Sequence, residues 1–319
     1  MVERRDPSLR STVTQTVASL TRRELRARLS REGLQLVIPP VTARITSSID
    51  TVLEGIQILY APYQVSDHPF ADFHVHLRAS QGVRRLVGRQ VIFDFDGMRP
   101  FSPHPLGQAF PVFEWALNWC ITNHLHEYLI VHGAVVEKEG KALLMPGVPG
   151  AGKSTLAAAL MLTGWRLLSD EHILLRSDGL IQPAPRPVSL KNQSIELIRG
   201  RWPDAHIGRV VHDTRKGSIV HLCADDESIT RADSAPSPAL LVFPRYEATL
   251  PLPLEMDQIG RADALIRLHE HCFNFHILRE EGFNRLTRLV GECECFDLRY
   301  RDLDQALEWL EHQLAASSR

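Results

Sequence analysis

The chain has 319 residues, with 36 basic side chains against 38 acidic ones and a formal net charge of −2. Hydrophobic residues make up 44% and charged residues 23%. That is enough apolar material for a sizeable core and argues against a largely disordered chain. The basic excess expected of a nucleic-acid or acidic-membrane binder is missing, so neither is expected as a partner.

At roughly 150 residues per domain, the length predicts one large or two ordinary domains. No apolar run approaches the roughly 18 residues of a membrane span. The opening MVERRDPSLRSTVTQ carries no apolar segment of the secretory kind. Five cysteines form no paired framework, and a reducing cytoplasm is the expected compartment.

In chain order, a helix is predicted around Val17 to Leu29. Residues 34–100 read as β-rich: LQLVIPP, GIQILYAP, the alternating ADFHVHLRA and RQVIFDFDG all look like strands between Pro and Gly breaks. Residues 110–127 have helical spacing, with Phe113, Ala116, Leu117 and Cys120 on one face. The stretch YLIVHGAVVEKEGKALLMPG reads as a hairpin of two apolar strands turning at Glu139-Gly140. The boundary between the β-rich front and the rest falls near residue 108. It divides the chain into an N-terminal region, 1–108, and a second domain, 109–319.

The chain has only five lysines: Lys138, Lys141, Lys153, Lys191 and Lys216. One of them completes a motif. Gly147, Val148, Pro149, Gly150, Ala151, Gly152, Lys153 and Ser154 fit G-x-x-x-x-G-K-[ST], followed by Thr155. In this pattern the glycines let backbone N–H groups turn inward around phosphate oxygens. Lys153 is placed for the β/γ-phosphates and the Ser154 hydroxyl for Mg²⁺. The helix predicted from Ser154 to Thr163 aims its positive end at the phosphates, and Gly164 ends it. The strand WRLLS then leads to Asp170 and Glu171, which completes a predicted βαβ unit. An acid here can hold the magnesium ion or its water, and a second can take a proton from an attacking hydroxyl.

The stretch from His132-Gly133 through the phosphate loop and Gly164-Trp165-Arg166-Leu167 to Asp170-Glu171 resembles the HPr serine kinase/phosphorylase family. It is especially similar to the offshoot called HprK-related kinase A. The match is strong over about forty residues and loose over 110–250. The front part does not resemble the N-terminal domain of the true HPr kinases.

The resemblance implies an α/β P-loop kinase fold related to the phosphoenolpyruvate carboxykinase nucleotide core. It also implies ATP, Mg²⁺ and transfer of the γ-phosphoryl group to a serine of a protein or peptide acceptor. Carried over, Asp170 takes the metal-side position and Glu171 that of the general base, where the family usually has Asp. His132 matches an active-site histidine. The family's downstream signature survives only as a partial echo in Glu196, Arg199 and Gly200. A kinase without efficient reverse phosphorolysis is therefore expected. Glu196 is either a second metal ligand or a solvated helix charge. The resemblance further implies acceptors such as an HPr-like protein or a peptide encoded in a biosynthetic cluster.

Other groups have the residue types for chemistry. Lys191 and Lys216, in loop-like segments, are candidates for acceptor or phosphate binding, and Arg245 is a candidate charge stabiliser. Asp72, His74 and His76 alternate on a strand, and His269, His271, Cys272 and His276 cluster in a helical stretch. Both patterns are read as structural rather than metal-binding. Cys293 and Cys295 read as buried thiols, and DLDQALEWLEHQL as a packed amphipathic helix. Residues 1–108 either select the acceptor or form subunit contacts, a homo-oligomer included. A small-molecule kinase and a nucleotide-driven regulatory ATPase stand as alternatives. The absence of Asn-Lys-x-Asp and Leu-Ser-Gly-Gly-Gln runs argues against a GTPase and a transport ATPase.

Overall fold

The computed structural model describes residues 15–81 and 88–317. The first fourteen residues, which hold most of the polar opening, lie outside them. The chain forms two compact units that divide after Leu117.

The first unit is built on a seven-stranded sheet of order β1-β4-β2-β3-β5-β6-β7. Its strands are β1 (Gln15–Thr16), β2 (Leu34–Ile38), β3 (Val41–Ser47), β4 (Gln64–Val65), β5 (Phe73–Ala79), β6 (Gln90–Asp94) and β7 (His104–Pro105). Helix α1 (Arg22–Ser30) begins later than the predicted helix. Thr21 and Glu24 form a capping box, the Glu24 carboxylate accepting from the Thr21 amide at 2.8 Å. That box fixes the start and leaves Val17–Ser19 as a separate 3₁₀ turn.

The strand predicted over GIQILYAP is wrong: α2 (Asp50–Leu59) covers most of it. Its buried residues Val52, Leu53, Ile56 and Leu59 follow helical spacing, a period visible only when 50–54 are read together with 55–59. This helix is the crossover between β3 and β5, which pair in parallel. Helix α3 (Ala109–His124) buries Phe113, Ala116, Leu117 and Cys120 as predicted.

The second unit contains an eight-stranded mixed sheet of order β12-β11-β8-β9-β16-β18-β17, with β10 also paired to β8. The hairpin β8 (Leu129–Lys138) and β9 (Lys141–Pro146) turns at Glu139 and Gly140, both with positive φ. Helix α4 (Lys153–Leu162) follows β9 after the loop 147–152. At its end Gly164 takes φ 95°, and the amides of Gly164 and Trp165 bond to the carbonyls of Met161 and Leu160.

The next strands are β10 (Arg166–Ser169) and β11 (His172–Leu175). β9 and β10 are both antiparallel to β8, hence parallel to each other, as the βαβ prediction requires. They are not neighbours, because β8 lies between them. β12 (Ile181–Gln182) edges the sheet. A small sheet of order β13-β15-β14 uses β13 (Val188–Lys191), β14 (Val211–Thr214) and β15 (Gly217–Leu222). Helix α5 (Gln193–Arg201) lies between β13 and β14 in the chain, and α6 (Asp226–Thr230) follows β15.

The remaining strands are β16 (Ser237–Tyr246), β17 (Leu254–Gln258) and β18 (Glu294–Tyr300). The remaining helices are α7 (Arg261–Glu270), α8 (Phe275–Leu278), α9 (Glu280–Glu292) and α10 (Leu303–Ala316). α10 turns Leu303, Ala306, Leu310 and Leu314 inward, while Leu307 is only half-buried.

Both faces of the large sheet are buried. Val131, Val135, Leu144, Ile173 and Leu241 pack with Leu268, Leu286 and Leu289 of α7 and α9. The alternating residues Val136, Leu143, Met145 and Val242 are fully buried on the other face. Helix α4 packs against β8, β10 and β13 and against α5 and α10. Between β8 and β10 lies a buried ion pair, Arg166 with Glu137. It is completed by the Arg166 donors on the carbonyls of Arg231 and Ser234, at 2.7 and 2.9 Å.

Candidate active site

The loop 147–152 leaves β9 at its carboxyl end. Gly147, Gly150 and Gly152 all have positive φ, a conformation that L side chains resist. The Lys153 ammonium folds back onto the loop, donating to the carbonyls of Gly147 at 2.6 Å and Val148 at 2.9 Å. Burial lowers its pKa, while Asp170 and Glu171 act in the opposite sense. Thr155, next to Ser154, donates to the Ser194 hydroxyl of α5 at 2.9 Å.

Asp170 and Glu171 sit where the strand running along β8 breaks. β10 pairs with residues 135–137 of β8 and β11 with residues 129–132. The acidic pair falls in the gap, opposite Gly133, whose amide donates to the Glu171 carbonyl at 3.3 Å. A Cβ at Gly133 would stand 2.8 Å from the Met145 carbonyl oxygen and 3.0 Å from Pro146 Cα. Glycine is therefore required for β9 to pass this close.

The two acids are treated differently by the fold. Asp170 is 6% exposed and its Oδ2 accepts from the Ser189 amide at 3.0 Å. Its Oδ1 is buried without a hydrogen-bond partner. Burial first, then the neighbouring Glu171 charge, push the Asp170 pKa up to about 7; Lys191, the Ser189 amide and the Ser154 hydroxyl pull in the other direction. The Glu171 side chain is 24% exposed, and its Oε2 lies 3.7 Å from His132 Nδ1.

His132 Nδ1 also lies 3.2 Å from the Glu171 carbonyl. Its backbone amide donates to the His271 carbonyl at 2.8 Å, and its ring meets Phe273 edge-on at 5.9 Å. Burial and then Lys153 lower the His132 pKa, against an upward pull from Glu171. Phe273 also contacts His172. The His172 Nε2 lies 3.0 Å from the Thr122 hydroxyl, and burial drives its pKa well down.

The structure brings Lys153, Ser154, Asp170, Glu171 and His132 together at one end of the sheet. It also adds groups the sequence placed loosely. Lys191 is not in a loop: it ends β13, two residues beyond the Ser189 amide that holds Asp170. Lys216 lies in the turn between β14 and β15. Asn192 joins the two lysine segments, accepting from the Ser218 amide at 3.1 Å and donating to the Lys216 carbonyl at 3.4 Å. Burial and Lys191 lower the Lys216 pKa, while Glu171 raises it. Three of the chain's five lysines thus converge on the acidic pair. Lysine scarcity was one signal of this in the sequence.

Among the remaining candidates, His271 adjoins the site, its carbonyl accepting from the His132 amide. Glu196 is exposed on α5 and makes no hydrogen bond or ion pair among the described residues, so nothing ties it to Asp170 as a metal ligand. Arg245, at the end of β16, is largely exposed and pairs with Glu247 at 3.2 Å. Asp72 accepts from the Thr42 amide and His74 pairs with Asp96. His271 and Cys272 follow α7 rather than lying in it, and Cys272 bridges Val131. Among the described residues no group of three or more His, Cys, Asp or Glu side chains is arranged to hold a metal. Cys293 and Cys295 are buried thiols.

The donor set suits magnesium. It offers a buried carboxylate with a bare oxygen and a nearby serine hydroxyl, the sparse oxygen ligation with which Mg²⁺ accompanies phosphates. No helix among the described residues is long and apolar enough to cross a membrane.

No family model matches the chain, and no curated protein matches its sequence. Among solved structures, the HPr(Ser) kinase/phosphatase from Coxiella burnetii is similar over 59% of this chain and 94% of its own, with 12% identity and a TM-score of 0.24. A likeness that loose carries no argument, and the functional reading rests on this chain's own residues.

Proposed function

We propose that the protein is an ATP-dependent kinase that transfers the γ-phosphoryl group to a serine hydroxyl of a protein or peptide acceptor, without efficient reverse phosphorolysis. The observation that carries this reading is the division of labour in the acidic pair beside the glycine-lysine loop. Asp170 is sealed from solvent with one bare oxygen, while Glu171 is partly open and stands against His132.

The attacking serine hydroxyl has to lose a proton as the new P–O bond forms. Glu171 is the carboxylate that an acceptor can reach from solvent, and it takes that proton. His132, kept neutral by burial and Lys153, orients it. Lys153 exchanges its two loop carbonyls for phosphate oxygens, and the loop amides share the negative charge of the transferring group. Asp170 and Ser154 would hold the magnesium ion, which when bound neutralises phosphate charge. Lys191 and Lys216 supply the positive field for an anionic acceptor or for the phosphorylated product.

The test is intact-mass spectrometry of host-lysate proteins and peptides incubated with the protein, ATP and Mg²⁺, with Lys153→Ala as the control. One acceptor gaining a single phosphate on serine, absent with the variant, is the expected result. ATP hydrolysis with no labelled acceptor overturns the reading in favour of a regulatory ATPase. Phosphorylation of a metabolite alone overturns it in favour of a small-molecule kinase.

A further inference from the structure

The acidic pair and His132 lie on one side of the loop strand β9, on and across β8. On the other side, β16 and β18 run parallel to β9 and to each other, and they end in the paired residues Tyr246 and Tyr300. Both tyrosines grip the loop. The Tyr246 amide donates to the Ala151 carbonyl at 3.1 Å, and the Tyr300 hydroxyl lies 3.4 Å from the Gly152 carbonyl. A Cβ at Gly152 would come within 2.4 Å of the Tyr300 hydroxyl and 3.3 Å of Tyr246 Cβ.

The two rings are not equivalent. Tyr300 is 2% exposed and Tyr246 is 46% exposed. They meet edge-on, centroids 5.6 Å apart, so the buried ring props the open one.

We propose that Tyr246 is the platform on which the nucleobase of the bound triphosphate stacks. This rests on the kinase reading. Transfer requires the γ-phosphoryl end to face Lys153, Asp170 and Glu171. A triphosphate lying along the loop then sends its nucleoside end the opposite way, across the carboxyl ends of β16 and β18. Neighbouring strands are about 4.8 Å apart, so the first aromatic ring that end meets is the one on the adjacent strand, Tyr246. Stacking on an open tyrosine face tolerates any base, so little discrimination between ATP and GTP is expected from this residue.

The test compares MgATP with magnesium tripolyphosphate, which has the phosphates and no base, by titration calorimetry on the full chain. Wild type is expected to bind ATP more tightly than tripolyphosphate. Tyr246→Ala should lose on the order of tenfold in ATP affinity, the scale of one base–aromatic stack, with tripolyphosphate affinity unchanged. Tyr246→Phe, which keeps the ring, should bind both ligands like wild type. Equal weakening of both ligands by Tyr246→Ala overturns the proposal, because the residue then only shapes the loop. No weakening of either overturns it as well. If wild type binds neither ligand, the phosphate-loop reading itself is wrong and this inference falls with it.

Discussion

Replacing Arg166 with Met should unfold the second unit more easily than almost any other single change outside the site. The Arg166 and Glu137 side chains are each only 2% exposed. Removing the guanidinium strands a buried carboxylate whose other contacts are the Gly140 amide at 2.5 Å and, more distantly, Arg231 at 3.8 Å. It also strips the donors from the carbonyls of Arg231 and Ser234. Breaking a buried pair on one side costs about 3–5 kcal/mol. In a unit of this size that is a fall in melting temperature of roughly 6–20 °C. The double variant Arg166→Met with Glu137→Leu should recover much of the loss, because two apolar side chains leave no orphaned charge. Urea denaturation followed by tryptophan fluorescence measures all four corners of the cycle. A single variant within about 1 kcal/mol of wild type, or a double variant worse than the single one, would refute the assignment of this pair as the buried tie between β8 and β10.

Three further outcomes are expected. Glu171→Gln should keep ATP affinity while transfer falls by roughly 10²- to 10⁴-fold, the range for losing a general base; near-full turnover in single-turnover assays would remove Glu171 from that role. In chelator-treated protein, the Asp170 carboxyl has a pKa of about 7 against an ordinary 3.8, so the folded state holds a proton that the unfolded chain gives up. The stability this represents is complete below pH 3.8 and is lost as pH rises through about 7, by up to about 4 kcal/mol. Asp170→Asn should abolish that slope, and parallel melting curves for the two proteins between pH 5 and 8 would contradict it. Gly133→Ala should cost about 1–3 kcal/mol through its clash with the backbone of Met145 and Pro146. It should also weaken ATP binding, since Pro146 leads directly into the loop; unchanged nucleotide affinity in a destabilised variant would uncouple the two.

Much of the candidate site is legible without coordinates because its signals are local. The hairpin at Glu139-Gly140, the loop from Gly147 to Ser154, the glycine that ends α4 and the acids after WRLLS are each set by a few neighbouring residues. Positive φ, the missing Cβ and short-range periodicity leave them few alternatives. Local pattern misleads where the window is cut in the wrong place. GIQILYAP looks like a strand by itself, yet Val52 and Leu53 upstream complete a helical face with Ile56 and Leu59. The predicted helix start likewise overruns Thr21, whose reciprocal bonds with Glu24 set the true one.

What only the tertiary structure decided is how distant segments meet. Nothing in the run PRPVSLKN says that Ser189 will hold Asp170 or that Lys191 will stand beside it. Nothing in HEHCF says that His271 will cap the amide of His132. Nor does ALLVFPRY announce that Tyr246 will open beside the loop while Tyr300 closes beneath it. These contacts join residues from 19 to 148 positions apart, and strand order sets them. The sequence therefore determined the kinds of chemistry available, because residue type and local backbone geometry are written position by position. Which acid is sealed, which is reachable and which lysines face them depended on burial and charge, properties of the packed whole.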